Sequence, residues 1–279
     1  MKRIILLLFI FLKAPFICFS AGENIKTGSR SAGMANASVC LHDMWSIYNN
    51  QAGLASIKKF SAGISFENRF MLKELSYKTA AIIFPFKSNV FGLSVSQFGF
   101  SLYNENKIGL SYSKNLNAKL SAGVQLNYLK TNIGDNFGNT SNILGEIGFQ
   151  YILSPQLTIG AHLYNPYQPN SKNIIHKKAP TIIRFGISYL PSDKIIIAIE
   201  TEKTVHYNPI FKVGLEYHPA QKVYIRSGVS TNPIFNAAGF GLEFTHFKLD
   251  FAASYHQTLG FTPNISIIYQ TSYKKNNTK

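Results

Sequence analysis

Short runs of alternating apolar and polar residues fill the chain from Phe60 onward. In one run, Leu126 and Tyr128 share one side while Gln125 and Asn127 share the other. Successive side chains of a β-strand point to opposite faces, so each run predicts a strand with one apolar and one polar face. Similar runs recur at 143–151, 157–163, 183–189, 211–217, 223–229, 240–244, 247–255 and 265–269. The pattern predicts an all-β chain.

The polar faces distinguish between two kinds of all-β protein. They carry Gly, Ser, Gln and sparse charges of both signs, whereas the outer face of a soluble sandwich is usually rich in Lys and Glu. A barrel in lipid turns its apolar face outward and its polar face toward the lumen. We therefore predict a transmembrane antiparallel β-barrel. Its lumen charges, expected to be paired because they are buried, are Glu146, Arg184, Lys212, Glu216, Arg226 and Glu243.

The connections between the runs are predicted to alternate between tight and long. Barrels of the outer membrane have short periplasmic turns and longer outer loops. Tight turns are expected at 86–89, 114–118, 153–156, 190–194, 218–222 and 245–247. Long loops are expected at 67–74, 100–107, 131–142, 165–180, 202–208, 231–236 and 257–264. Together these predict about 14 strands. Aromatic residues beside the tight turns, expected to form an interfacial girdle, are Phe84, Phe86, Tyr112, Tyr151, Tyr189 and Tyr217.

The first 20 residues have the features of a secretory signal peptide. A basic start is followed by an apolar run from Ile4 to Leu12, and small residues stand at Ser20 and Ala21. This apolar run is shorter than a spanning helix requires, so we expect cleavage near Ser20. Removal of residues 1–20 would leave Cys40 as the remaining cysteine, which excludes an intramolecular disulfide.

The net charge changes the expected partners. The chain carries 28 Lys and Arg against 13 Asp and Glu, for a formal charge of +15. A cytosolic protein with this excess would suggest nucleic acid, but export makes that partner unsuitable. Outer-membrane lipid headgroups and lipopolysaccharide phosphates are the expected partners of exposed lysines. The alternative is that the lysines are simply solvated in loops and turns.

The segment before the first strand lacks the alternation. Residues 21–57 are dense in small residues and are predicted to form a plug segment. The barrel is predicted to follow at 58–272, with a polar C-terminal tail at 273–279. Gly33 and Gly53 are suited to tight turns or close backbone approach. Arg30 is a candidate partner for a lumen carboxylate, with Glu146, Glu216 and Glu243 as the alternatives.

Residues 28–37 and 46–55 are similar to the N-terminal signature of FadL-type outer-membrane barrels. They most resemble the PorV/PorQ branch, which is associated with type IX protein secretion. The family motif Asn-Pro-Ala-Gly-Leu stands here as Asn50-Gln-Ala-Gly-Leu54, with Gln51 in place of proline. The resemblance implies 14 strands. It also implies a plug packed in or under the barrel mouth, which either only seats there or binds a ligand or partner. The residues concerned are Arg30, Gly33, Met34, Asn50, Gly53 and Leu54.

The sequence offers three hypotheses for function. The first, placed highest, is an accessory barrel of type IX secretion or surface-protein handling that binds secretion components or a cargo protein. The second is a FadL-like channel for hydrophobic solutes, and the third is a structural barrel. An enzyme is not expected, because the seven His residues are scattered and no catalytic, cofactor or metal motif is found. Asp135, Asn136 and Asn139 weakly suggest a cation site, against a plain polar turn.

Overall fold

The computed structural model describes residues 25–134, 138–167, 179–205 and 207–271. The predicted signal peptide at 1–20 and the predicted tail at 273–279 lie outside the described residues, as do Asp135 and Asn136 of the suggested cation site.

Fourteen antiparallel strands close into one barrel. Each strand pairs with its neighbours in sequence, and β1 pairs with β14 to complete the ring. This confirms the predicted fold class. The strands are β1 Ser61–Asn68, β2 Ser76–Phe86, β3 Asn89–Gly99, β4 Tyr103–Asn115, β5 Leu120–Ile133, β6 Gly138–Ser154, β7 Leu157–Tyr164, β8 Ile182–Ser192, β9 Ile195–Thr204, β10 Ile210–Ala220, β11 Val223–Ser230, β12 Phe235–Glu243, β13 Phe247–His256 and β14 Gly260–Gln270.

In the described ranges, five short helical segments accompany the strands. Two α-helical turns lie in the N-terminal segment, α1 at Ser29–Gly33 and α2 at Ser46–Asn49, and a 3₁₀ helix follows at Gln51–Ser56. Two further 3₁₀ turns, Arg69–Met71 and Lys73–Leu75, connect β1 to β2. In the described part of the chain, no helix has the length and apolar composition needed to cross a membrane.

The barrel wall has the predicted inside-out polarity. In β5, Gln125 and Asn127 are buried in the lumen while Val124 and Leu126 are exposed on the outer surface. Large apolar side chains are exposed in this way all around the barrel, and such a surface is stable only in contact with lipid. A closed ladder also leaves no strand edge unpaired within the hydrocarbon layer. Alternation, pairing and exposure together define a membrane-spanning barrel.

The two ends of the barrel differ less than the sequence predicts. At one end, called the inner end, the connections are tight, and the barrel both starts and finishes there, at Ser61 and Gln270. At the outer end, only the connections 69–75 and 165–181 are longer than five residues. The other five predicted long loops are wrong. Polar residues such as Asn104, Asn132 and Asn139 lie on strands, because the hydrogen-bond ladder continues beyond the apolar band.

Candidate functional site: the plugged lumen

The N-terminal segment fills the lumen. Residues 25–57, called the plug, run from the outer end of the lumen to its inner end before the chain enters β1. Trp45, Ile47 and Leu54 of the plug are fully buried and pack against inward side chains of the wall such as Ile83 and Ile268. The plug therefore has an apolar contact with the wall near the inner end, and this contact excludes water from that part of the lumen.

Gly33 and Gly53 belong to the segment that resembles the FadL-type signature. Both stand where a side chain would not fit. A Cβ on Gly33 would lie 3.0 Å from the Cα of Gly239 in β12, and a Cβ on Gly53 would lie 2.5 Å from the carbonyl oxygen of Leu41. Gly33 thus brings the plug backbone against the wall, while Gly53 allows two parts of the plug to cross. Met34 and Leu54, also named from the resemblance, are completely buried.

Arg30 joins the plug to a cluster of charges on β10, β11 and β13. Its Nε and Nη2 atoms donate to the two carboxylate oxygens of Glu216, at 2.9 and 2.8 Å, and its Nη1 donates to Asp43 at 3.1 Å. Arg226 donates to Glu216 at 2.5 Å and to Asp250 at 2.7 Å. Of the three carboxylates considered for Arg30, Glu216 is the one it contacts. The bidentate pair fixes both the position and the rotation of the plug.

A second cluster holds the plug by its backbone. Glu200 of β9 accepts hydrogen bonds from the backbone N–H groups of Ser38 and Val39, both at 2.8 Å. The same carboxylate pairs with Lys212 at 3.0 Å and with Arg184 at 3.5 Å. Because these partners balance the charge of Glu200, the carboxylate stays ionised and serves as an anchor for two plug amides.

A third cluster surrounds Glu146 of β6. The carboxylate accepts from Gln51 Nε2 at 2.9 Å, from Asn127 Nδ2 at 2.8 Å and from His162 Nε2 at 3.0 Å. His162 Nδ1 lies 3.2 Å from Arg184 Nη2, so this nitrogen accepts and the Nε2 nitrogen carries the proton. Gln51, which stands where the family motif has proline, therefore joins the plug to the wall through its side chain.

Asn50, the other polar residue of the motif, ties the plug to itself and to β6 and β7. Its Nδ2 donates to the carbonyl of Val39 at 2.7 Å and approaches the carbonyls of Phe149 and Ala161 at 3.3 Å. Its Oδ1 accepts from the backbone N–H of Ala52 at 3.2 Å, which begins the 3₁₀ helix. Asn50 thus closes a turn of the plug and anchors that turn to the wall.

The predicted lumen charges do not all meet the plug. Glu146 and Glu216 contact it directly, whereas Arg184, Lys212 and Arg226 contact the carboxylates that hold it. Glu243 lies at the inner rim, where it accepts from the Tyr224 hydroxyl. The sequence pattern predicts no such role for Lys26, Asp43, His162 or Glu202. The alternation of inward and outward side chains along β7 and β9 is the signal that identifies His162 and Glu202, but Glu202 falls in a predicted loop.

A cavity of about 220 Å³ remains between the plug and the outer end of the barrel. We call it the vestibule pocket. Lys26 lies on its plug side and forms an ion pair with Glu202 at 2.7 Å. Burial lowers the pKa of the Lys26 amine to about 8, although the charge of Glu202 opposes that shift. Among the described residues, no group of three or more His, Cys, Asp or Glu side chains could hold a metal ion.

A closed barrel with an apolar outer wall, a polar lumen and an N-terminal plug defines the class of plugged outer-membrane β-barrels. This architecture places the protein in the outer membrane, as the sequence predicted.

The same fold is found in solved structures of FadL-type barrels. The toluene transporter TodX of Pseudomonas putida is 10% identical, with 91% of this chain and 100% of that chain covered and a TM-score of 0.71. The toluene transporter TbuX of Ralstonia pickettii is 15% identical, with 89% and 98% covered and a TM-score of 0.67. A FadL homologue of Pseudomonas aeruginosa is 12% identical, with 87% and 98% covered and a TM-score of 0.66. At these identities the likeness shows the fold alone.

No protein-family model and no curated protein matches the chain. The structural neighbours TodX and TbuX are transporters rather than enzymes, which agrees with the expectation of a non-enzyme.

Proposed function

We propose that this protein is an outer-membrane channel for hydrophobic solutes. The observation that carries the proposal is the placement of the plug. It sits inside a closed barrel, held by discrete polar contacts, beneath a pocket at the outer end. The toluene transporters with the same fold support a small hydrophobic solute. This function is the second of the three hypotheses that the sequence offers, and the fold comparisons favour it over the first.

Passage through such a channel requires the plug to move. The described lumen is crossed by buried ion pairs and by the apolar contact of Trp45 and Leu54 with the wall. Polar contacts of this kind are separable, because each can be exchanged for water when the plug shifts. We infer that solute enters the vestibule pocket and that a displacement of the plug opens the way onward.

A single substitution can test that displacement. A Cβ on Gly160 of β7 would lie 2.9 Å from the Sγ of Cys40 in the plug, close to the separation of about 3 Å that disulfide geometry implies. The Gly160→Cys variant is therefore expected to cross-link plug and wall upon oxidation. The same Cβ would lie 2.8 Å from the carbonyl oxygen of Val39, so Gly160→Ser is the control for crowding.

The measurement is uptake of radiolabelled toluene by a Gram-negative host whose own hydrophobic-solute channels are deleted. We expect cells with the wild-type protein to take up toluene faster than vector cells. Cells with oxidised Gly160→Cys should take up toluene only at the rate of vector cells, and reductant should restore the wild-type rate. The uptake rate with Gly160→Ser should stay near that of the wild-type protein. Equal uptake with and without the wild-type protein would contradict the channel function. Undiminished uptake by the oxidised variant would contradict plug displacement at Cys40.

The secretion role remains a second proposal, supported by the resemblance of residues 28–37 and 46–55 to the PorV/PorQ branch. Arg30, Gly33, Met34, Asn50, Gly53 and Leu54 pack inside the barrel, so a secretion component or cargo protein would have to bind elsewhere while the plug is seated. Pull-down of the tagged protein from native membranes tests this role. Recovery of a secretion component or surface protein would support it, and recovery of neither would count against it.

We also propose that membrane lipid is a partner of the inner rim. Exposed lysines cluster beside the tight turns, where Asp193 is the one exposed acid among the described residues. These lysines border the apolar band, at the depth of the inner-leaflet headgroups. A lysine near an anionic membrane surface contributes about 1 kcal/mol of attraction. The rim lysines are Lys58, Lys59, Lys87, Lys114, Lys119, Lys194 and Lys222. Lipopolysaccharide, as the expected partner of the outer end, stays a proposal.

A further inference from the structure

The vestibule pocket is built from both halves of the molecule. The plug contributes Ile25, Lys26, Ala32 and Asn36 to its lining, and the outer ends of seven strands together with two of their connections contribute the rest. At about 220 Å³ the cavity is smaller than the 300–1,000 Å³ that is usual for drug-sized ligands. Its size therefore selects a small solute, such as one aromatic ring with a single substituent.

The pocket lining includes large apolar residues. They are Phe70, Ile210, Pro233 and Phe235. Phe70 has a left-handed backbone with φ of 55°, and its N–H donates to Thr262 Oγ1 at 3.0 Å. A non-glycine residue held in this conformation marks a constrained position, and such positions are common at ligand sites. The backbone that carries the Phe70 ring is thereby held at the pocket.

Every cation of the described lining is already paired with a carboxylate. Lys26 and Lys212 both contact Glu202, at 2.7 and 2.6 Å. Arg69 contacts Glu67 at 2.8 Å. A solute carboxylate that approached one of these cations would also face the negative charge of the glutamate already paired with it. The pocket therefore disfavours anions, although three cationic side chains line it.

The pocket wall does offer a neutral hydrogen-bond donor. His256 Nδ1 accepts from the backbone N–H groups of Thr258 and Leu259, both at 3.2 Å. Because Nδ1 accepts, the proton of the neutral imidazole lies on Nε2. Among the residues that the structure describes, no acceptor is bonded to this Nε2. The His256 ring meets the Phe70 ring edge-on, with centroids 6.1 Å apart, so the donor adjoins an apolar ring.

We propose that the vestibule pocket binds a small uncharged solute with an apolar body and one hydrogen-bond acceptor, and rejects the corresponding carboxylate. The body lies against Phe70 and Phe235, and the acceptor receives the Nε2 proton of His256. This inference rests on the proposed channel function for its purpose, because it names the solute class at the entrance. Its test, however, requires binding only and no transport.

Benzamide and benzoate are a suitable pair of probes, since they share ring and size but differ in charge at pH 7.5. Binding to the full chain in lipid nanodiscs is measured by titration with saturation-transfer NMR. We expect benzamide to bind the wild-type protein at least tenfold more tightly than benzoate. Equal binding of the two probes, or tighter binding of benzoate, would overturn the proposal.

Glutamate substitutions test the reason for the selectivity. Glu202→Gln removes the carboxylate that Lys26 contacts, and Glu67→Gln removes the one that Arg69 contacts. Each variant is expected to strengthen benzoate binding at least tenfold. If one of them fails to fold, the other still provides the test. The matched control is Glu74→Gln, which removes an exposed carboxylate on the same connection as Arg69 but outside the pocket. Unchanged benzoate binding in both pocket variants would overturn the proposal.

A third variant locates the donor. His256→Phe keeps a ring beside Phe70 but removes the N–H group, so benzamide should weaken severalfold while toluene, which needs no donor, should not. Benzamide binding that is unaffected by His256→Phe would refute the assigned donor.

Selective binding without any toluene uptake by cells would leave this inference standing and the channel function rejected. Toluene uptake without selective binding would support the channel function and reject this inference.

Discussion

The side-chain amide of Gln51 donates to the carboxylate of Glu146 across 2.9 Å, and the same amide donates to the carbonyl of Ile47 at 3.0 Å. One residue of the plug thus bonds both to the wall and to its own preceding helical turn. Gln51 is the position at which this chain departs from the family motif it resembles. The departure adds a tether that a proline cannot provide, because proline has no side-chain donor.

Replacing Gln51 with proline should loosen the plug without unfolding the barrel. Proline is suited to the first position of a helix, so the 3₁₀ turn itself should tolerate it. The loss of a donor to buried Glu146 is expected to cost about 1–3 kcal/mol. Trp45 is the single tryptophan of the chain and lies in the plug, so its fluorescence reports plug release during urea titration.

The control for that titration is barrel unfolding followed by heat-dependent mobility in electrophoresis. We expect the fluorescence midpoint of Gln51→Pro to fall while the mobility transition stays near the wild-type temperature. If both transitions fall together, the plug and the barrel form one cooperative unit, contrary to this prediction.

Replacing Arg30 with alanine should open the channel to ions. The substitution removes the bidentate pair with Glu216 and the contact with Asp43. Breaking a buried ion pair typically costs about 3–5 kcal/mol, although Arg226 still neutralises Glu216 and should reduce the loss. In planar bilayers, Arg30→Ala should show frequent conductance steps where wild type is nearly silent. Lys222→Ala, which removes an exposed rim charge, should behave as wild type.

A side chain at Gly33 should displace α1 from the wall. Its Cβ would lie 3.0 Å from the Cα of Gly239 and 3.2 Å from the Cβ of Arg226, so neither neighbour can move aside easily. Gly33→Val is expected to destabilise the seated plug by about 1–3 kcal/mol through overpacking, and Gly33→Ala by less. Protease sensitivity of the plug in intact outer membranes is the measurement.

Gly145→Val is the matched control for that series. Gly145 points outward from β6, and a Cβ there would have nothing within 4 Å. The same change in side chain should therefore leave the plug protected. Equal protease sensitivity of the Gly33 and Gly145 variants would show that close approach to Gly239 does not matter.

Removal of the rim lysines should reduce bound anionic lipid. Changing Lys87, Lys114, Lys194 and Lys222 to glutamine removes four charges from four different turns without touching the lumen. Native mass spectrometry after extraction should then retain fewer phosphatidylglycerol molecules per barrel, with phosphatidylethanolamine unchanged. The same four-residue exchange at the outer lysines Lys73, Lys78, Lys130 and Lys203 is the control. Equal losses in the two variants would contradict an inner-rim site.

The strands and their polarity could be predicted because alternation is a local property. Val124 and Gln125 face opposite sides in any β-strand, and the tight turns have distinctive residues. The outer ends of the strands could not be predicted, because residues such as Asn132 and Thr140 are polar on both faces once the strand leaves the hydrocarbon. Glu202 was assigned to a loop for the same reason.

The candidate site was predictable only in part. Inward parity identified the lumen carboxylates, and the excess of small residues at 28–37 indicated close packing. Arg30 pairs with Glu216 because of the position of α1 around the barrel circumference. No local sequence pattern encodes that position. The pairing of Gln51 with Glu146 depends likewise on where the plug crosses β6. Both are set by long-range geometry.

The carboxylates that receive the plug stand on strands far apart in the sequence, Glu146 on β6, Glu200 on β9 and Glu216 on β10. Their arrangement as a single receptor exists only after the ring of strands has closed. Residues 25–57 leave the ribosome before any of these strands, yet they have nowhere to settle until all of them are in place. During biogenesis, the plug is therefore made before every strand of the barrel and must fold after them.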